Sequence, residues 1–539
     1  MSGYTAAMLA ARPPAARLVL AASLALLAVA LLAPAALARE VYVANTEANS
    51  VSVIDTATNR VTATIPTGPF SGPYTLAISP DGRTVYAANL DGNSVIAIGT
   101  QTKSVVGAPI PVGKDPAGIA ISPDGRRAYV SNGGDGSVSV VDLQARQVVG
   151  LPIPLPEGFD SEPLGVAVSP DGRRAYVADA KSESVSVIDT ATNQIVGAPI
   201  EVGVRPYGIA VTPDGRRLYV ANNDAESVSV VDTATLQAGG PIVVGKDPSG
   251  IAITPDGSRA YVANFGSDSV SLIDTGANVE VATILGVDEA EFVALTPDGG
   301  QGYVSEANQG SVAAFSVQGN QLLAPIPTTG GDTGQPAVVP NQPPVAAFDP
   351  VLKRIRPGVP GELTAVTSTD PDGSVATYAW EFGDRQTATV AAPVVKHVFR
   401  HPGKFQVTLT LTDAEGCSTA LIYTGQTASC NGSAVAAATE TVAVAYPGLR
   451  LKCPKSALPG GCTYKLRAVG VKGRDKKRIK PQSAFVRTRV RAGRTKIVSI
   501  KPRKAFAKRL GRAKRILVQE TRKIAGEKRK RIHKLSVVR

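Results

Sequence analysis

The sequence predicts an all-β chain led by a ring of repeated four-stranded units, and three observations carry this. The tripeptide Pro-Asp-Gly recurs with Asp81, Asp124, Asp171, Asp214, Asp256 and Asp298 at spacings of 43, 47, 43, 42 and 42 residues. A tyrosine in a β-favouring string follows each one, as Tyr86, Tyr129, Tyr176, Tyr219, Tyr261 and Tyr303, and Tyr42 stands ahead of the first, which makes seven units. Each unit holds four short β-favouring runs. Around Asp214 these are Tyr207–Val211, Leu218–Ala221, Ser227–Val231 and Ile242–Val244, with Pro213-Asp214-Gly215 as the hairpin turn, because Asp-Gly tolerates the backbone that tight turns need. Four strands in about 40 to 45 residues is the spacing of a β-propeller blade, so seven blades are expected.

The chain enters this pattern at Glu40 with a second strand and no first. The segment Gln335–Pro340 is predicted to supply the missing innermost strand, closing the ring and removing exposed sheet edges.

Strings such as Tyr219-Val220-Ala221-Asn222 and Tyr261-Val262-Ala263-Asn264, each followed by Ser-Val-Ser-Val/Leu-Ile/Val-Asp, resemble the YVTN family of propeller repeats found in surface-layer and related secreted proteins. The resemblance spans Arg39–Asn341. Asp179 and Glu306 depart from it where Asn is usual, and Gly99 replaces the strand-end Asp. It implies kinship with propellers that host enzymes, including lactonases and quinoprotein-like relatives. Between Arg39 and Asn341, however, there is no His, Cys or Met. That excludes from the propeller any mechanism built on an imidazole base, a thiolate, or His-ligated copper, zinc or iron. No cofactor or metal is expected; a lactonase-like or calcium-assisted hydrolase working through carboxylates is the alternative to a binding protein.

Aspartates that recur in nearly every blade read as turn and strand-end residues. Asymmetry lies in the loops before each innermost strand, where 157–160 is the longest insertion. Loops on a rigid scaffold carry function, so the candidate ligand-binding residues are Asp115, Asp160, Glu162, Arg205, Tyr207, Asp247, Asp288 and Glu291. A solvated rim without a ligand fits the same residues, and no catalytic residue is assigned.

After a boundary rich in Gly, Thr and Pro come Pro343-Pro344-Val345-Ala346-Ala347-Phe348 and Ser368-Thr369-Asp370-Pro371-Asp372-Gly373-Ser374, then Tyr378-Ala379-Trp380-Glu381-Phe382-Gly383-Asp384, His397-Val398-Phe399 and Gly403–Asp413. This order resembles a PKD domain, which implies an immunoglobulin-like β-sandwich acting as an extracellular spacer. Trp380 and Phe382 are expected on one buried face, with Val407, Leu409 and Leu411 opposite them across the sandwich. Asp370, Asp372 and Asp384 suit turns better than a calcium site. Residues 417–430 depart from the pattern as a longer hairpin before a final strand at Thr439–Ala445.

The formal charge of +13 conceals a division. Residues 447–539 carry 32 Lys+Arg against three acids, a net of +29, and the rest of the chain carries 25 against 41, a net of −16. Strings such as Tyr464–Val469 and Arg487–Arg491 read as strands, Ala505–Leu510 as a short helix, and the last 20 residues as either part of a small β-rich domain or a solvated arm. Only Tyr464, Phe485 and Phe506 are aromatic in the basic segment, which argues against stacking on nucleic acid. An anionic envelope polymer is the expected partner of this segment, with an extracellular protein or polysaccharide as partner of the rim.

Arg12, Arg17, the apolar run Leu18–Leu32 and Ala36-Leu37-Ala38 form a secretory signal pattern; a retained anchor is the competing reading. After cleavage no transmembrane segment is expected. Cys417 with Cys430 and Cys453 with Cys462 are read as two local disulfides rather than a zinc site. The expectation is therefore a secreted, non-enzymatic surface protein: signal at 1–38, propeller at 39–341, sandwich at 342–446 and basic β-rich domain at 447–539.

Overall fold

The computed structural model describes residues 39–350, 355–425, 428–444 and six strands beyond residue 447. The signal pattern, the helix expected at Ala505–Leu510 and the Cys453–Cys462 pairing lie outside the described residues. The chain forms two units. One holds the residues up to 343 together with 372–374 and 415–432; the other holds the remainder.

The first unit is the ring of seven antiparallel blades. Ser and Val alternate at the start of Ser227–Asp232, which pairs with Arg217–Asn222 in register from Arg217 opposite Asp232 to Asn222 opposite Ser227. Closure occurs as expected in kind: Thr333–Val338 pairs with Glu40–Asn45, placing Ala337 opposite Tyr42. This strand begins and ends two residues earlier than predicted, stopping before Pro340, which has no N–H for the ladder. In four blades the outermost strand is broken in two, as at Gln147–Val148 and Ile153–Pro154. Each break holds a proline, at Pro152, Pro199, Pro241 and Pro325, tolerated on an outer edge where no further strand needs the missing donor.

Each repeated residue has a repeated job. The blade tyrosines are buried, Tyr219 and Tyr261 completely, and pack between neighbouring blades with residues such as Val228, Ile251 and Val262. Asn222 Nδ2 donates to Ser227 Oγ at 3.1 Å and Ser229 Oγ at 3.0 Å, locking second strand to third. In each Pro-Asp-Gly turn the aspartate is a clasp: Asp214 Oδ1 accepts from the Thr212 hydroxyl at 2.6 Å and the Arg216 amide at 3.1 Å. Burial opposes ionisation of Asp214, but the Thr212 and Arg216 bonds outweigh it and hold the carboxyl below its ordinary range. Asp232 similarly accepts the Thr235 amide at 2.8 Å.

Around the axis the innermost strands approach backbone to backbone. A Cβ on Gly165 would lie 2.2 Å from the Tyr207 carbonyl oxygen and one on Gly118 2.3 Å from that of Leu164, so the narrow channel requires glycine here.

The second unit contains the sandwich. One sheet runs Thr387–Val390, Val375–Glu381, Gly403–Asp413, Ala437–Val444, and the other Asp349–Pro350, Gly361–Thr364, Val394–His397. Trp380 is 1% exposed and Phe348 meets its ring edge-on at 5.1 Å. Val407, Leu409 and Leu411 are fully buried, yet not across the sandwich: Leu409 is the direct cross-strand partner of Trp380. Periodicity reveals which face is buried, but not which strands are neighbours. Asp384 holds His397 at 2.9 Å, and the imidazole stacks on Phe382.

In the basic segment Val486–Val490, Cys462–Val471, Arg515–Ile524 and Glu527–Ser536 form one antiparallel sheet, and Gly448–Lys452 pairs with Thr495–Ser499. Residues 527–536 are therefore not a free arm, since Glu527–Ser536 pairs along its length with Arg515–Ile524.

The rim and channel of the propeller as candidate functional site

The two faces of the ring differ in charge. On one face, loops join second to third strands and outermost to innermost strands; they carry fifteen acidic side chains against four basic ones, a net of −11. On the opposite face the Pro-Asp-Gly turns and the third-to-fourth loops carry six of each and balance. The acidic face is the rim picked out from the sequence.

The predicted rim residues divide into a dispersed set and a convergent pair. Asp115, Arg205 and Asp247 occupy equivalent loop positions with φ near +50° and point to solvent in separate blades. Arg205 is paired at 3.8 Å with Asp224, both half exposed. Asp160 ends the short turn Gly158–Asp160, Glu162 donates its amide to Asp179 Oδ1 at 2.9 Å, and Asp288 is exposed. These are not gathered into one site.

Tyr207 and Glu291 do meet, at the channel mouth, with a partner that sequence reading missed. Innermost strands open with Pro-x-Gly in four blades, and x is Ala117, Leu164, Tyr207 and Ser249. In Pro73–Ile78 the corresponding pair is Tyr74-Thr75, and in Ala290–Leu295 it is Glu291-Phe292. Tyr74 Oη donates to Glu291 Oε1 at 2.6 Å, Tyr207 Oη lies 3.3 Å from the same oxygen, and the two phenols hydrogen-bond to each other. Phe292 meets Tyr74 edge-on at 5.5 Å and Tyr207 at 6.1 Å. Alignment of the innermost strands carries the signal, because Thr75 and Phe292 replace the glycine of the four Pro-x-Gly blades.

Burial pushes Glu291 up from 4.5 to about 7, opposed by the bond from Tyr74; Asp332 adds to the rise and the Tyr207 bond opposes it. Burial raises both phenols above their ordinary range; the next cause is Tyr207 and then Glu291 for Tyr74, and Glu291 for Tyr207. Beneath the cluster lies a cavity of about 30 Å³, lined by Thr75, Ala117, Gly118, Gly165, Gly208 and their neighbours, which is room for a water rather than an organic substrate. Thr75, 3% exposed, has no hydrogen-bond partner for its hydroxyl among the described residues.

The other end of the channel is sealed by an element that belongs in sequence to the sandwich. The Cys417–Cys430 disulfide staples the strands Leu421–Tyr423 and Ala428–Asn431, and residues 415–432 are part of the propeller unit. Tyr423, 1% exposed, donates to the carbonyl of Ile121, and the Val168 amide donates to Gly425 O at 2.8 Å. Ile121 and Val168 are the last residues of their innermost strands, so the hairpin caps the channel at the Pro-Asp-Gly face. Asn341 secures it from the side through bonds with Ser429 and Asn431, each 2.9 Å. Arg39 pairs with Asp372 at 3.0 Å and also with Glu415.

Among the described residues no group of three or more His, Cys, Asp or Glu is placed to hold a metal ion, and no helix is long and apolar enough to cross a membrane. Glu291 engages channel residues through Oε1, which Tyr74 and Tyr207 both reach.

Short segments are similar to curated bacterial proteins. One is 37% identical over 78 residues to the pre-pro-metalloprotease PrtV of Vibrio cholerae, covering 14% of this chain and 8% of that protein. Another is 34% identical over 62 residues to a microbial collagenase of Vibrio alginolyticus, covering 12% and 7%. The chain thus spans under a tenth of these relatives. Among solved structures, hydrazine synthase of Kuenenia stuttgartiensis aligns with a TM-score of 0.44 at 25% identity, over 49% of this chain and 89% of that one. A functionally unknown protein from Desulfotomaculum acetoxidans aligns with a TM-score of 0.49 at 19% identity, over 56% and 98%. Residues 40–283 match the family model described as lactonase, 7-bladed beta-propeller, and residues 341–427 match the PKD domain. With the closed ring and the Trp380-centred sandwich, the chain carries a lactonase-type seven-bladed β-propeller followed by a PKD domain.

Proposed function

We propose that this is an exported binding protein. Its propeller rim recognises an extracellular protein or polysaccharide, its sandwich is a spacer, and its basic C-terminal domain holds it electrostatically to an anionic envelope polymer. The observation that carries this reading is the state of the channel. Capped by the stapled hairpin and narrowed by Tyr74, Tyr207 and Glu291, it retains about 30 Å³, against roughly 300 Å³ or more for an ordinary small-molecule site. Recognition then falls to the rim, where charge and loop length vary from blade to blade. Export is supported by the signal pattern, the Cys417–Cys430 bond and the PKD match.

The test is retention of the full chain on isolated anionic cell-envelope polymer. Release is expected between 0.1 and 0.5 M NaCl, about the range in which screening shortens from ~10 Å to a few ångströms; retention unchanged at 1 M would defeat the electrostatic anchor. The lactonase family match supports the second reading, a carboxylate hydrolase. Turnover of a lactone panel by the full chain with calcium, lost in Glu291→Gln, would favour that reading over ours.

A further inference from the structure

The channel mouth has a chemistry beyond closure. Phe292 packs against both Tyr74 and Tyr207, and Glu291 lies within hydrogen-bond reach of both phenols. Both tyrosines reach its Oε1, whereas Oε2 has no hydrogen-bond partner among the described residues. Aromatic faces combined with a carboxylate attract a cation, electrostatically through the ring quadrupoles and directly through the charge. Among the described residues no cation fills the place: Arg205, two residues before Tyr207, is paired outward with Asp224. Around the mouth the rim loops carry a net of −11, a field that draws a polycation in. The unpartnered Thr75 hydroxyl in the cavity below is a further open polar contact.

We propose that this mouth binds a lysine or arginine side chain of a basic polypeptide, and that its occupant is the basic segment 447–539 of a second copy of this chain. The proposal rests on the rim being the recognition surface and names its partner. Charge complementarity selects the occupant, since that segment carries a net of +29 in 93 residues. Because each copy presents one acidic mouth and one basic segment, the contact is head to tail and extends to dimers and longer chains.

Sedimentation velocity on the full chain at pH 8 in 50 mM NaCl tests it. Wild type is expected to associate with rising concentration and to dissociate in 500 mM NaCl, as a screened contact must. Glu291→Gln keeps an acceptor for the tyrosines, and Tyr207→Leu removes an aromatic wall. Each is expected to weaken association at least tenfold, and a poly-L-lysine peptide of about twenty residues is expected to compete in wild type only. Thermal melts of both variants guard against misfolding, and Glu291→Gln alone suffices if Tyr207→Leu melts early. A monomeric wild type in 50 mM NaCl, or association unchanged by Glu291→Gln, overturns the proposal. Envelope-polymer retention is read separately, so a chain that is retained but does not self-associate defeats this inference and leaves the broader function standing.

Discussion

The two faces of the propeller are built by opposite logics. On the Pro-Asp-Gly face, six aspartates repeat the same clasp: a Ser or Thr hydroxyl two residues earlier and a backbone amide two residues later, both donating to one carboxylate oxygen. Charge there balances. On the rim, equivalent positions hold Tyr74, Ala117, Leu164, Tyr207, Ser249 and Glu291, and acids outnumber bases. Repetition marks what every blade needs in order to fold, and deviation marks what only one place on the ring does.

The comparison breaks first, and with the largest effect, at the hairpin cap, the one asymmetric element on the symmetric face. Tyr423→Ala removes a buried aromatic and its bond to the Ile121 carbonyl and is expected to cost about 3 kcal/mol or more. The paired Cys417→Ser and Cys430→Ser variant is expected to cost roughly 2–4 kcal/mol. Denaturant titration reads both, and a loss below 1 kcal/mol in each would show that the cap does not stabilise the ring.

Glu291 gives the next effect, through pH. Its carboxyl is raised from 4.5 to about 7 in the folded protein, so the native state favours the protonated form. Relative stability from this group is full below about pH 4.5 and declines as pH rises through 7. Glu291→Gln is therefore expected to raise stability at pH 8, on the order of 2 kcal/mol, and to change little at pH 4. Equal effects at both pH values would remove Glu291 from the list of titrating groups.

The smallest effect tests the equivalence of the turns. Asp124→Ala, Asp171→Ala and Asp214→Ala each lose a hydroxyl and an amide bond, and about 1 kcal/mol is expected from each. Values that agree across the three blades sharpen the contrast with the rim. One blade far out of line would mean that its aspartate does something the others do not.

Much of this was legible from residue spacing. Pro-Asp-Gly at steps of 42 to 47 residues predicts the blades because a four-stranded blade consumes that length, and a chain that starts on a second strand must borrow its first from the other end. Tyr207 and Glu291 are legible because they lie beside the variable loops that precede the innermost strands. Tyr74 was missed because its contacts lie 133 and 217 residues away, and only ring closure converts that separation into hydrogen bonds. The dispersed residues Asp115, Arg205 and Asp247 illustrate the converse: adjacency to the innermost strand is visible in sequence, but the direction in which each side chain leaves a positive-φ loop is not.

Sequence by itself determined the all-β class, the count of blades, the order of propeller, sandwich and basic segment, and the location of the charge, because local periodicity, turn chemistry and composition are properties of neighbouring residues. Tertiary structure alone decided which strand lies beside Trp380, that the hairpin 417–430 caps the channel rather than the sandwich, and that three aromatics and one carboxylate share the channel mouth. Those outcomes depend on which distant backbones approach, and a one-dimensional pattern carries no term for that.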